Sequence, residues 1–228
     1  MTDLELARQY LPIIHFDRAE TIPLLAMGYT IFRETRRSES FPKRMVEVPP
    51  CAAFVIEYAC YWDYDIQHMY DLEHLWVTVD RDGSPIHAEG SFHGKYLNLY
   101  HPGLPCLPPE GLRVHAFCQP GKHAFLPDGQ LFRLVPHWRE CCTAESGGPV
   151  LVGGPFGGAY TPTAADHARC ERYIREHLAF DPTMDFSGEM PADMRLIPWG
   201  ELAAWIPSRV MAECARLAAL ETSLDSAE

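Results

Sequence analysis

The sequence predicts a mainly β fold with its longer helices gathered at the C-terminal end. Three observations predict it. Runs rich in β-branched and aromatic residues, bounded by turn signals, fill residues 53–92. Twenty prolines and 16 glycines punctuate the 228 residues too often for a helical bundle. Capped helical patterns of any length begin only near Thr163.

Taken in order, residues 1–12 read as a short helix leading into Pro12, and 13–16 as a short strand before the polar Asp17–Thr21 turn. Residues 29–33 are a second strand, and 33–44 a charged loop that either binds an anion or is simply solvated. The strongest strand is 53–64 (AFVIEYACYWDY), followed by 72–80 and 85–92, the last two paired as a hairpin across Arg81-Asp82-Gly83-Ser84. Residues 112–118 and 131–135 are further short strands, and 144–162 is a Gly- and Pro-rich loop. A capping box opens a helix at Thr163-Ala-Ala-Asp166 and runs to about Phe180. A terminal helix over 199–220 is interrupted near Pro207. No repeat or linker divides the chain, so one domain covers 1–228. Its β core spans 10–140, the loop 141–162, and a helical elaboration 163–228.

Hydrophobic residues make up 47% of the chain and aromatics 11%, enough for a real core and against disorder. The 31 acidic and 19 basic residues give a net charge of −12, which argues against nucleic acid and anionic membrane as partners. No apolar run approaches the ~20 residues that span a bilayer, and the first residues lack the pattern of a secretory signal. The eight cysteines include no Cys-x-x-Cys pair, so they read as buried thiols in a reducing cytoplasm.

Chemistry concentrates in residues 61–74, YWDYDIQHMYDLEH. Alternation along the following strand places Glu73, Leu75, Val77 and Val79 on one face, with His74, Trp76, Thr78 and Asp80 on the other. Asp63 and Asp65 share a face of the preceding strand, so they meet Asp71 and Glu73 if the strands are neighbours. With no Lys or Arg close in sequence, such carboxylates repel one another unless a divalent cation joins them, and His68 adds a nitrogen ligand. A solvated acidic turn is the plainer alternative. Downstream, His87, Glu89, Ser91 and His93 form a polar stripe, read either as an exposed sheet face or as a cavity lining that meets the cation.

His68-x-x-Asp71-x-Glu73-His74, followed by Leu-Trp-Val, resembles the His-x-x-Asp-x-Glu-His motif of the necrosis-inducing (NPP1-type) family and its vacuolar-sorting-protein-62-like relatives. Ser91-Phe92-His93-Gly94 and Lys122-His123-Ala124 resemble two later family segments, and Pro12-Ile-Ile-His-Phe-Asp17 its start. The resemblance covers residues 10–125. It implies a β-sandwich with a cation held by His68, Asp71, Glu73 and an upstream Asp, Asp63 being the better match and Asp65 the alternative. The family's Gly-His-Arg-His-Asp-Trp-Glu heptapeptide is replaced here by Gln67-His68-Met69-Tyr70-Asp71-Leu72-Glu73, and its secretion signal and disulfide pattern are missing.

The expected function is a cytoplasmic metal-dependent enzyme, hydrolase-like, acting on a small-molecule substrate. His93 and His123 are its expected proton-transfer groups and Lys122 its charge stabiliser. The alternatives are a cation-dependent protein that binds a glycan or lipid head group without turnover, and an iron-dependent oxidative enzyme. Oxygen-rich ligation suits Mg, Ca or Mn, whereas recruitment of further histidines suits Zn or Fe.

Overall fold

The computed structural model describes residues 1–225. Helix α1 (Asp3–Gln9) starts behind Thr2, whose hydroxyl accepts from the Glu5 N–H while the Glu5 carboxylate accepts from the Thr2 N–H. Strands β1 (Ile13–His15), β2 (Ala26–Phe32), β3 (Arg36–Arg37) and β4 (Met45–Val46) follow. The long β5 (Ala52–Asp65) and β6 (His68–Asp80) come next, then β7 (Pro85–Phe92), β8 (Lys95–Tyr100), β9 (His115–Cys118) and β10 (Phe125–Leu126). Helix α2 (Ala164–Tyr173), strand β11 (Arg195–Pro198) and helix α3 (Trp199–Asp225) complete the described chain.

The architecture is a β-sandwich with helices, α+β in class. One sheet has six strands in the order β11-β2-β5-β6-β7-β8, and the other has three, β1-β9-β10. Leu75, Val77, Ala88 and Leu99 from the large sheet share one core with Ile14, Ala116, Cys118 and Phe125 from the small one. The two sheets approach closely at Gly90, where an added Cβ would lie 2.5 Å from Phe125 Cβ of the small sheet and 2.9 Å from Leu99 Cδ1 of the neighbouring strand.

The opposite face of the large sheet is also covered. Helix α3 lies across β2 and β5, so close that a Cβ on Gly28 would stand 2.9 Å from Leu202 Cδ2. The β3–β4 ribbon covers the rest, placing the Arg44 guanidinium 3.9 Å from the ring centres of both Trp76 and Tyr96. Of the polar stripe, Glu89 is paired to Arg44 of this ribbon, and His87 Nε2 stands 3.8 Å from Glu89.

Several elements differ from expectation for identifiable reasons. Residues 131–135 form no strand. A tight helical turn over Gly129–Leu134 starts at Asp128, whose carboxylate accepts from the Gln130 N–H, and Phe132 is its apolar anchor. The charged loop at 33–44 contains β3, paired with β4. Strand β8 escapes pattern reading because it is an edge strand whose residues 95–98 are exposed. Helix α3 runs unbroken through Pro207. Burial of Leu202, Ile206, Val210, Cys214 and Leu217 at helical spacing outweighs the ~3 kcal/mol an interior proline costs.

Candidate metal centre

Two turns distant in sequence meet at one end of the sandwich. In the first, Ile66 and Gln67 join β5 to β6, and Asp65 Oδ1 accepts from the backbone N–H of Gln67 (2.5 Å) and His68 (2.8 Å). In the second, between β9 and β10, the Gln119 carbonyl accepts from the N–H of Lys122 (3.2 Å) and His123 (2.8 Å). That loop needs left-handed backbone at Gly121 (φ 65°) and His123 (φ 57°). The Ile66 N–H donates to the Gly121 carbonyl at 2.7 Å and clamps the turns together. A Cβ at Gly121 would approach Ile66 Cβ to 2.9 Å, so glycine meets a steric demand as well as a conformational one.

The contact gathers a polar cluster. Asp65, His68 and Asp71 each bring one ligand atom within 4.8 Å of the others. His68 Nδ1–H donates to the Tyr70 carbonyl (2.8 Å), which turns Nε2 toward Asp65 Oδ2 at 3.2 Å. Asp71 Oδ1 accepts from the Leu72 N–H (2.9 Å) and Oδ2 from His123 Nδ1–H (2.9 Å). The His123 ring is fully buried and stacks on Trp62 with centres 4.3 Å apart, and its Nε2 has no hydrogen-bond partner among the described residues.

The electrostatics follow from burial against these partners. Burial pushes the Asp71 carboxyl up, but the hydrogen bond and charge of His123, with His68 and Lys122, outweigh it and hold Asp71 below the usual carboxylate range. Burial and the Asp71 charge raise Glu73 well above it. Burial lowers Lys122, but its contact with Asp65 prevails and raises the ammonium above its ordinary value.

The expected residues therefore separate. His68 and Asp71 come together, and the upstream carboxylate beside them is Asp65, not Asp63. The pairs Trp62↔Asp71 and Cys60↔Glu73 put Asp63 on the opposite face. There it takes a bidentate bond from Arg209 (2.9 and 2.5 Å) and another from the Tyr61 hydroxyl (3.0 Å). Glu73 accepts from the Ser91 hydroxyl. His93, itself at φ 48°, bonds through Nε2 to Gln119 Oε1 at 3.0 Å. The expectation that no basic side chain neutralises these acids is overturned. Lys122 Nζ contacts Asp65 Oδ2 from 57 positions away, a separation that sequence spacing does not reveal.

A pocket of about 250 Å3 opens beside the cluster, with His68, Asp71, His74, Ser40, Phe41 and Lys43 in its wall. Sequence reading passed over Ser40, a residue of the charged loop. His74 Nε2 meets Ser40 Oγ at 3.0 Å, and the Ser40 hydroxyl donates to Glu57 Oε1 at 2.6 Å. Burial lowers His74 to about 3, so it is neutral, and its Nδ1 has no hydrogen-bond partner among the described residues. The one signal for this chain of contacts was the placement of His74 and Trp76 on the same outward strand face.

No protein-family model matches the chain, and no curated protein matches it. Among solved structures it is similar to Necrosis and Ethylene inducing Protein 2 from the causal agent of cocoa's witches' broom disease. That match has 16% identity and a TM-score of 0.36, covering 55% of this chain and 67% of the other. It is similar also to NLPPya in complex with glucosamine (14% identity, TM-score 0.35, 53% and 64% coverage) and to a triple mutant of NLPPya (15%, 0.36, 75% and 91%).

Proposed function

We propose that Asp65, His68 and Asp71 hold a divalent cation and that the cation, at the wall of the pocket, binds a small polar ligand. The observation that carries this reading is the convergence of the three ligand atoms within 4.8 Å beside that pocket. Two carboxylates and one imidazole form an oxygen-rich set suited to Mg, Ca or Mn. His123 is the outer partner that orients a ligating carboxylate. The ligand class that fits is a hydroxyl-bearing molecule such as a glycan or a lipid head group. Phe41 and Pro155 supply apolar contact to it.

Binding is better supported than hydrolysis. His123 is sealed behind Asp71, and His93 is engaged by Gln119 and lies outside the pocket wall, so neither is placed to move a proton there. Hydrolysis remains the second reading, with the cation as Lewis acid. A reducing cytoplasm belongs to the same reading, supported by the burial of Cys60, Cys118, Cys141, Cys142, Cys170 and Cys214 as free thiols.

Titration with Mn2+ tests the proposal. About one ion per chain is expected, with affinity falling at least tenfold in Asp71→Asn and His68→Ala. Absence of binding by the wild-type protein sinks the reading. If Mn2+ binds, a cation-dependent turnover of glycosides or phosphate esters that is lost with Asp71→Asn favours hydrolysis over binding.

A further inference from the structure

At the other strand pairing of the small sheet, two histidines face each other. Strands β1 and β9 run parallel with Ile13↔His115 and His15↔Phe117 in register, so His15 and His115 lie on one face as diagonal neighbours. His15 Nε2 and His115 Nδ1 stand 2.9 Å apart, with the rings nearly parallel at 13°. At that distance the nitrogens share one proton, and burial together with mutual repulsion lowers His15 below its ordinary value.

A cavity of about 470 Å3 opens here, and its wall includes His15, Glu110, Arg113 and Glu189. Glu110 is near enough for its charge to act on His115. Arg113 also faces the pair, but its guanidinium is tied to the backbone carbonyls of Leu11 (2.6 Å) and Pro12 (3.4 Å). Two nitrogens bound to one tetrahedral ion at ~2.1 Å lie ~3.3 Å apart. A few tenths of an ångström of separation therefore turns the hydrogen-bonded pair into a chelating one.

We propose that His15 and His115 form a second metal site that takes a borderline divalent cation of the Zn2+, Ni2+ or Cu2+ type, with water in its remaining positions. Its two-imidazole donor set differs in kind from the oxygen-rich group at Asp65, His68 and Asp71, and the two sites stand or fall separately. On binding, the shared proton moves to a ring nitrogen turned away from the ion, so each neutral imidazole keeps one N–H and no net proton is released.

Zn2+ titrated calorimetrically into the full chain in excess Mg2+ tests this. The wild type and Asp71→Asn are expected to bind one Zn2+ with micromolar Kd. His115→Ala should lose at least tenfold in affinity, and so should His15→Ala. Should His115→Ala fail to fold, Cu2+ at one equivalent on the wild type gives the answer, since its EPR spectrum should show two coupled nitrogens. Unchanged Zn2+ affinity in both variants, no Zn2+ binding by the wild type, or coupling to fewer than two nitrogens overturns the proposal.

Discussion

Replacing His74 by Gln should flatten the acid sensitivity of this protein. The side chain is 1% exposed, stacks on Trp76 and meets Ser40 Oγ through Nε2, while Nδ1 has no partner among the described residues. Burial, helped by the nearby Arg44 charge, lowers it from 6.5 to about 3 against the pull of Asp71. In the unfolded chain the same imidazole takes up a proton near its ordinary value. Between about pH 6.5 and pH 3 the unfolded state thus binds one proton more, and stability falls as pH falls. At about 1.4 kcal/mol per pH unit, the loss from this residue reaches about 2 kcal/mol by pH 5. Its limit over the whole window is about 4–5 kcal/mol, a large share of the roughly 5–15 kcal/mol that holds a domain folded. Urea unfolding followed by tryptophan fluorescence at pH 7.5, 6 and 5 measures it. His74→Gln is expected to be the less stable protein at pH 7.5 and to recover about 2 kcal/mol relative to wild type by pH 5. Parallel stability curves would refute the argument, because they would mean that His74 protonates without cost in the folded state.

The other predictions concern the same end of the molecule and the core. Asp63→Asn breaks the pair with Arg209 that ties α3 to β5, so it should destabilise by about 1–2 kcal/mol in thermal unfolding. It should leave Mn2+ affinity unchanged, and a tenfold loss would return Asp63 to the ligand set. Lys122→Met removes the ammonium from Asp65, and Mn2+ affinity should rise roughly tenfold because the cation no longer competes with it. A fall in affinity would show instead that Lys122 organises the site. Gly90→Ala forces a methyl against Phe125 and Leu99 where the sheets meet, and should cost about 1–3 kcal/mol in urea unfolding.

What the sequence determined by itself is local. The Thr163–Asp166 capping box is present with both reciprocal bonds, because a cap involves neighbours three residues apart. Strands β5, β6 and β7 follow their β-branched and aromatic runs, and alternation along β6 correctly sends Leu75, Val77 and Val79 into the core. His68 and Asp71, grouped by the family resemblance, share one cluster although alternation points residues three apart to opposite faces.

Tertiary structure decided which upstream aspartate joins them. Asp63 and Asp65 are equivalent by alternation, and what separates them is the turn after β5, whose Gln67 and His68 N–H groups hold Asp65, together with an arginine 146 positions away that takes Asp63. The same holds for Lys122, the unexpected neutralising charge, and for the ribbon carrying Ser40 and Arg44 over a sheet face that alternation could describe only as polar. Alternation says which way a side chain points. What it meets there depends on segments brought from elsewhere in the chain, and in a low-dielectric interior that meeting sets whether a carboxylate binds a proton, an arginine or a metal ion.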